Sequence, residues 1–263
     1  MRARSSTTDP RPAATTSYRE IVRQLADAQK AVASGAPPYS ILVNRRVGRL
    51  LAAWAYRRGL VPDSVTAISA VITFAAIALV PTLAPTWWLG IVVWVGLALG
   101  YAFDSADGQV ARLRGGGSLA GEWLDHVVDS VKLSSLHLAV LVMAYRFADL
   151  SSAAWLLVPV GFALVAAVSF FTMILNDKLR EVHAARHGGP ARRVVPTSVA
   201  RRLLLLPTDY GILVLSFLTL GWPRVFFVIY TVLFVANLGH LVLALRKWRR
   251  DMVEIDSVTG EAR

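Results

Sequence analysis

Residues 87–146 read WWLGIVVWVGLALGYAFDSADGQVARLRGGGSLAGEWLDHVVDSVKLSSLHLAVLVMAYR. Two apolar runs, 87–104 and 122–146, flank a short polar connection. Each is near the ~20 residues a helix needs to cross hydrocarbon. Asp104 and Asp107 close the first run, and Asp125 and Asp129 open the second. Residues three or four apart share a helix face. Antiparallel spans joined by a short loop would therefore bring all four carboxylates to one depth, at one membrane boundary.

Four more apolar runs lie outward from this pair: 64–83, 154–176, 208–221 and 224–245. The chain thus predicts an all-α polytopic membrane protein with six transmembrane helices. Composition agrees: 55% of the 263 residues are hydrophobic and mean hydropathy is +0.52, against about 45–50% apolar in soluble domains. The first 38 residues are polar and Pro/Ala/Ser-rich, with no charged-then-apolar leader pattern. They read as a flexible segment in which 18–34 forms a short helix, ended by Gly35 and Pro37-Pro38. Residues 39–60 read as a juxtamembrane amphipathic helix. Val43, Val47, Leu50, Leu51 and Trp54 share one face, while Arg45, Arg46, Arg49, Arg57 and Arg58 lie mostly off it. That pattern suits a helix lying at a membrane interface. Residues 61–247 form the expected membrane domain and 248–263 a cytoplasmic tail.

Charge distribution sets the expected orientation. Eleven Lys/Arg precede the first span, seven lie from Lys178 to Arg202, and five follow the last span, while the opposite side holds only Arg146 and Arg224. The positive-inside rule then places both termini and the acidic cluster in the cytoplasm, with the protein in the plasma membrane. A net charge of +11 could suggest nucleic acid. Here the bases flank apolar runs, so anionic lipid headgroups are the expected partner and nucleic acid is not. The chain has no cysteine, which excludes disulfides, thiolate catalysis and Cys-ligated zinc. The Ala/Arg/Val-rich composition points to a GC-rich bacterium.

Four carboxylates near hydrocarbon lose hydration, and pairs ~4 Å apart repel by several kcal/mol at intermediate dielectric. Protonation or bound cations must offset this. All-oxygen ligation suits Mg²⁺, with Mn²⁺ or Ca²⁺ as alternatives. Asp104, Asp107, Asp125 and Asp129 together would balance two divalent ions, an arrangement suited to phosphoryl transfer. Gly108, Ala111 and Gly121 leave room for a ligand near the helix backbone. Arg112 offers a fork for phosphate oxygens, and the loop Arg114–Ser118 is rich in backbone donors.

The pattern D-x2-D-G-x2-A-R-x8-G-x3-D-x3-D over residues 104–129 resembles the signature of the CDP-alcohol phosphotransferases at all eight of its fixed positions. Pro62-Asp63-Ser64-Val65-Thr66 is similar to the family's Pro-Asn-x-x-Thr segment, with Asp63 in place of the usual Asn. The resemblance implies that Asp104, Asp107 and Asp125 ligate metal and that Asp129 both ligates metal and takes the acceptor's proton. It also implies that Asp63, Ser64, Thr66, Gly108, Ala111, Arg112, Ser118 and Gly121 form the site of the CDP-linked donor, and that the protein is a homodimer.

Other polar residues have plainer readings. Lys132, one turn beyond Asp129, offsets the cluster's charge or contacts a phosphate. His126 is packing or a supporting group, and His137, Asn237 and His240 read as satisfied interhelical groups. His183 and His187 read as solvated loop residues. Gly96 and Gly100 allow close helix packing, and Trp87-Trp88 forms an interfacial belt on the far side.

The resembled family works in two directions. Some members pass a phosphatidyl group from CDP-diacylglycerol to a polar alcohol; others pass a phosphoalcohol from a soluble CDP-alcohol to a lipid hydroxyl. Bacterial members that take a phosphorylated acceptor often carry an Arg-x-Arg segment at the end of span four. This chain instead reads Asn176-Asp177-Lys178 there. Lys178 and Arg180 could partly replace the arginines, but Asp177 opposes a phosphate. The expected reaction is transfer from CDP-diacylglycerol to a small polar alcohol with release of CMP. The reverse direction, a metal-dependent prenyltransferase and a cation carrier stand as alternatives. A prenyltransferase would usually need a second Asp-rich motif, and a carrier leaves the Gly-Ala-Arg context unused.

Overall fold

The computed structural model describes residues 17–30, 38–187 and 205–259. Among these the chain is nearly all helical and contains no strand. The expectations for residues 1–16, 31–37, 188–204 and 260–263 lie outside the described residues.

Helix α1 spans Tyr18–Lys30. A π-helical turn, Ser40–Asn44, runs into α2, Arg45–Arg57. Then come α3 (Pro62–Thr82), α4 (Trp87–Leu113), α5 (Leu119–Phe147) and α6 (Leu157–His187). Helix α7 is short (Tyr210–Ser216), and α8 runs from Pro223 to Thr259. Five of these segments are long and apolar enough to cross a membrane: α3, α4, α5, α6 with its leading turn, and α8.

The fifth expected span is a shorter apolar helix, Tyr210–Thr219. At 1.5 Å per residue its ten residues cover about 15 Å, half of a ~30 Å hydrocarbon core. Its ends explain the length. Asp209 caps the N-terminus through the Gly211 N–H at 3.0 Å. Gly221 at the other end packs against the Trp87 backbone so closely that a Cβ there would lie 2.5 Å from Trp87 N.

Helices α3 and α4 pack through small residues. A Cβ on Gly96 would lie 2.7 Å from Ala76 Cβ, and one on Gly100 would lie 2.0 Å from Thr73 Oγ1. Ser69 Oγ donates to the Gly100 carbonyl at 2.8 Å across the same contact. Without a strong hydrophobic force between helices in lipid, this close approach and these hydrogen bonds hold the pair together. Val80, Val93, Leu97, Leu136, Val140, Phe217 and Tyr230 form the fully buried centre of the bundle.

Helix α4 continues well past residue 104, where its apolar run ends, and so carries the acidic motif on regular helix. Gly115 and Gly116 then turn the chain with positive φ of 92° and 134°, conformations that side-chain-bearing residues rarely adopt. Ser118 caps α5, accepting from the Gly121 N–H at 3.0 Å. The connection is short, so α5 returns antiparallel.

Val43 of the π-helical turn and Val47, Leu50 and Trp54 of α2 form an exposed apolar stripe, and the buried face of α2 lies opposite. That buried face is small: it holds Gly48, Ala52, Ala53 and Ala55. Ile21 and Leu25 of α1 pack into the same cluster, with Val65, Ala106 and Val110. Thus α1 clamps α2 onto α3 and α4.

Candidate active site

The last turns of α4 and the first turns of α5 bring the acidic residues together. One carboxylate oxygen each from Asp104, Asp125 and Asp129 lies within 4.8 Å of the others. Asp107 faces a different neighbour. Its Oδ2 accepts a 2.6 Å hydrogen bond from Thr66 Oγ1, and its Oδ1 accepts from the Gly108 N–H at 2.5 Å. The two sequence segments singled out, 62–66 and 104–129, therefore meet through Thr66 and Asp107.

Lys132 is buried beside the cluster. Its Nζ donates to Asp129 Oδ1 at 2.9 Å and pairs closely with Asp104. It offsets part of the negative charge and holds two of the three converging carboxylates. The donor set consists of hard oxygens, carries excess negative charge and is partly buried, and it fits a divalent cation such as Mg²⁺ or Mn²⁺. His126 lies at the rim, with Nδ1 4.0 Å from Asp125 Oδ2 and Nε2 3.8 Å from Glu122 Oε1.

A polar cavity of about 320 Å³ opens on one side of the cluster. Asp104, Asp107, Asp125, Gly108, Arg112 and Arg45 are among its walls. Gly108 faces open space, since a Cβ there would meet only Arg112 Nη1, at 3.9 Å. At the N-terminal end of α5, a Cβ on Gly121 would lie 3.1 Å from both Asp63 Oδ1 and Ser118 Oγ. Asp63, Ser118 and Gly121 are thus neighbours. Ser64 is half-buried on the first turn of α3, and Ala111 is buried on α4.

A second, larger cavity of about 550 Å³ meets the cluster from the other side, at Asp104, Asp129 and Lys132. Tyr101 and Asp104 border both cavities. Lys178 and Arg180 line neither. Lys178 pairs with Glu122 and, at 3.0 Å, with Glu181. Arg180 Nη2 donates to Asp251 Oδ2 at 2.8 Å. These two cations tie α6 to α5 and α8.

Sequence reading missed Arg45, which was assigned to the membrane-facing helix. It also missed Asp209, Tyr39 and Tyr101. Buried Asp209 accepts backbone N–H groups of Tyr39 at 2.8 Å and Ser40 at 3.4 Å. Tyr101 stacks on Tyr39 and meets the edge of Tyr210. This anchors the π-helical turn that leads into α2 beside the polar cavity and puts Arg45 in its wall. The only local signal was an Asp in an otherwise apolar stretch, 205–220.

His137, Asn237, Gly96 and Gly100 have structural roles. His137 Nδ1 is 2.6 Å from the Tyr230 hydroxyl, and Asn237 Nδ2 donates to the Pro207 and Leu233 carbonyls at 3.0 and 2.8 Å. His183 and His187 lie on α6 with their rings in contact, at 4.6 Å between centroids, and not in a loop. Helical continuation past residue 176 decides this, because α6 projects beyond its apolar run.

The fold and site define a polytopic helical membrane protein with a cluster of acidic side chains between two cavities. Residues 60–237, more than half of the chain, match the family described as CDP-alcohol phosphatidyltransferase. The chain belongs to that family. It is 42% identical over 84 residues to the phosphatidylinositol phosphate synthase of Mycobacteroides abscessus, a match covering 31% of this chain and 35% of that relative. The match therefore spans about a third of the relative's length. Crystal structures of the Mycobacterium tuberculosis phosphatidylinositol phosphate synthase are also similar. The form with manganese and citrate has a TM-score of 0.46 at 22% identity, covering 75% of this chain and 87% of the other. The form with CDP-DAG bound has a TM-score of 0.47 at 23% identity, covering 77% and 94%.

Proposed function

We propose that the protein transfers a phosphatidyl group from CDP-diacylglycerol to an alcohol, releasing CMP. Membership of the CDP-alcohol phosphatidyltransferase family supports the reaction class. The observation that carries the reading is the convergence of Asp104, Asp125 and Asp129 where a polar cavity meets a larger one.

Asp104, Asp107, Asp125 and Asp129 are the proposed ligands of divalent cations, Mg²⁺ or Mn²⁺. When bound, these would stabilise charge on the phosphate oxygens. Arg112 and Arg45 face the polar cavity, where the donor's diphosphate would be held by charge-assisted hydrogen bonds. Gly108 lets that diphosphate approach the α4 backbone. Asp63, Ser64, Thr66, Ala111, Ser118 and Gly121 complete the proposed donor site. Thr66 orients Asp107 through its 2.6 Å hydrogen bond. Asp129 borders the larger cavity, so it is placed to accept the proton of an incoming hydroxyl. Oxygen attack on the β-phosphorus then expels CMP.

The basic flanks support a cytoplasmic site in a bacterial plasma membrane, with residues 61–247 as the catalytic domain. A homodimer is the proposed assembly. The test uses full-length protein in nanodiscs with cytidine-labelled CDP-diacylglycerol. Metal-dependent CMP release in the presence of an alcohol is expected. Binding of the nucleotide with no CMP release across an acceptor panel, under Mg²⁺ or Mn²⁺, would overturn the reading.

A further inference from the structure

Part of the polar cavity's wall comes from the π-helical turn, Ser40–Asn44, and the first residue of α2. Ser40, Asn44 and Arg45 all line it. These residues precede residue 60, where the family match begins, so they lie outside the motif that the family shares. A π-helical turn is uncommon and frequently marks a functional site.

The turn is fixed at both ends. At its start, Asp209 accepts the Tyr39 and Ser40 N–H groups at 2.8 and 3.4 Å, and the Tyr39 ring fills the space that a Cβ on Gly211 would need. Past its end, Gln109 Nε2 donates to the Arg45 carbonyl at 3.5 Å. A Cβ on Gly48, one turn further on, would lie 2.9 Å from Ser105 Cβ, so α2 sits directly on α4. Contacts of this kind hold a side chain in a set place before a ligand arrives.

Asn44 is the side chain so held. It is only 4% exposed, yet it lines the cavity. It makes no capping hydrogen bond to α2, and among the described residues its amide has no hydrogen-bond partner. Burying an amide without a partner costs free energy, and an unsatisfied buried group in a native structure calls for an explanation. The amide carries two N–H donors, one carbonyl acceptor and no charge. Phosphate oxygens are better served by the guanidinium groups of Arg45 and Arg112, and cations by the carboxylates. The amide suits a neutral ligand group that offers donors and acceptors side by side, as a nucleoside does.

We infer that Asn44 is a specificity-determining residue that hydrogen-bonds the nucleoside of the CDP-linked donor, while Arg45 and Arg112 hold its diphosphate. This rests on the proposed transfer reaction and adds to its donor site a residue from outside the shared motif.

The experiment measures binding of CDP and of inorganic pyrophosphate, each with Mn²⁺, to the full-length protein in nanodiscs by calorimetry. Pyrophosphate keeps the charged part of the ligand and lacks the nucleoside. Asn44→Leu should weaken CDP binding about tenfold and leave pyrophosphate binding within about twofold, since one hydrogen-bonding group is lost and no charge changes. Tm of the ligand-free variant should stay the same or rise, because an unpaired buried amide has been replaced by an apolar group. Asn44→Ala, which adds no bulk, gives the same comparison if leucine distorts the turn. Equal weakening of both probes in the folded variants would mean that Asn44 only shapes the turn, and would overturn the inference. Unchanged CDP affinity would overturn it too. Either result leaves the transfer reaction standing, whereas no CDP binding by the unaltered protein would overturn both. UDP and 2′-deoxy-CDP tell base from ribose: a smaller loss with UDP places the contact on the base, and a smaller loss with 2′-deoxy-CDP places it on the ribose.

Discussion

Thr66 on α3 and Asp107 on α4 are 41 residues apart in sequence and joined by a 2.6 Å hydrogen bond between Oγ1 and Oδ2. Both side chains are buried. The bond links the segment that opens the first span to the acidic motif that closes the second. It also fixes which way the Asp107 carboxylate faces.

Replacing Thr66 by Val removes that donor while keeping the shape. Partners that orient a metal ligand are typically worth about 10- to 100-fold in metal affinity or activity. Thr66→Val should therefore raise the Mn²⁺ concentration giving half-maximal CMP release about tenfold. Thr66→Ser should restore it. An unchanged metal titration in Thr66→Val would detach this hydroxyl from the metal site.

Asp129→Asn keeps the size of the side chain and removes its basicity. General-base contributions are about 10²- to 10⁴-fold. Turnover should fall by at least that range while binding of labelled CDP-diacylglycerol persists. Turnover near that of the unaltered protein would remove Asp129 from the proton-accepting role.

Lys132 offers a stability test that does not depend on turnover. It is buried and joined to both Asp104 and Asp129. Breaking a buried ion pair from one side typically costs about 3–5 kcal/mol, because it leaves unpaired charge behind. Lys132→Met should lower Tm strongly in EDTA, and Mn²⁺ should recover much of the loss by supplying positive charge to the same carboxylates. Equal Tm losses with and without Mn²⁺ would mean that Lys132 and the metal do not share those groups.

Two glycines on α4 separate packing from ligand access. A Cβ at Gly100 would come 2.0 Å from Thr73 Oγ1, whereas one at Gly108 has only Arg112 Nη1 within 4 Å. Gly100→Val should destabilise the α3–α4 pair by about 1–3 kcal/mol, in the range typical of overpacking. Gly108→Ala should leave Tm unchanged and raise the KM for the donor. If Gly108→Ala leaves KM unchanged as well, the donor does not approach the α4 backbone there.

Much of the architecture was legible because bilayer thickness writes itself into run length. The runs at 64–83, 87–104, 122–146, 154–176 and 224–245 all lie in helices long enough to cross. The run at 208–221 was already the shortest of the six, and its helix is shorter still, because Asp209 and Gly221 limit it through contacts with Tyr39 and Trp87, distant in sequence. Helix ends were also longer than the apolar runs, since polar residues continue a helix into water without any hydropathy signal.

At the site, periodicity alone placed Asp104 and Asp107 on one face and Asp125 and Asp129 on another, across a connection too short for anything but an antiparallel return. Spacing of that kind determines which side chains face the same way. It does not determine which carboxylate turns to a third helix, and only the packing of α3 gave Asp107 to Thr66 and left the other three together. Likewise, Lys178 and Arg180 were nearest in sequence to the expected acceptor end, yet folding brought Glu122 and Asp251 to them and left an apolar cavity in that position. The sequence by itself settled the membrane class, the family and the acidic motif, because those depend on local composition and fixed spacing. The partner of each charge and the character of the two cavities were decided by tertiary structure, because they depend on contacts between residues far apart along the chain.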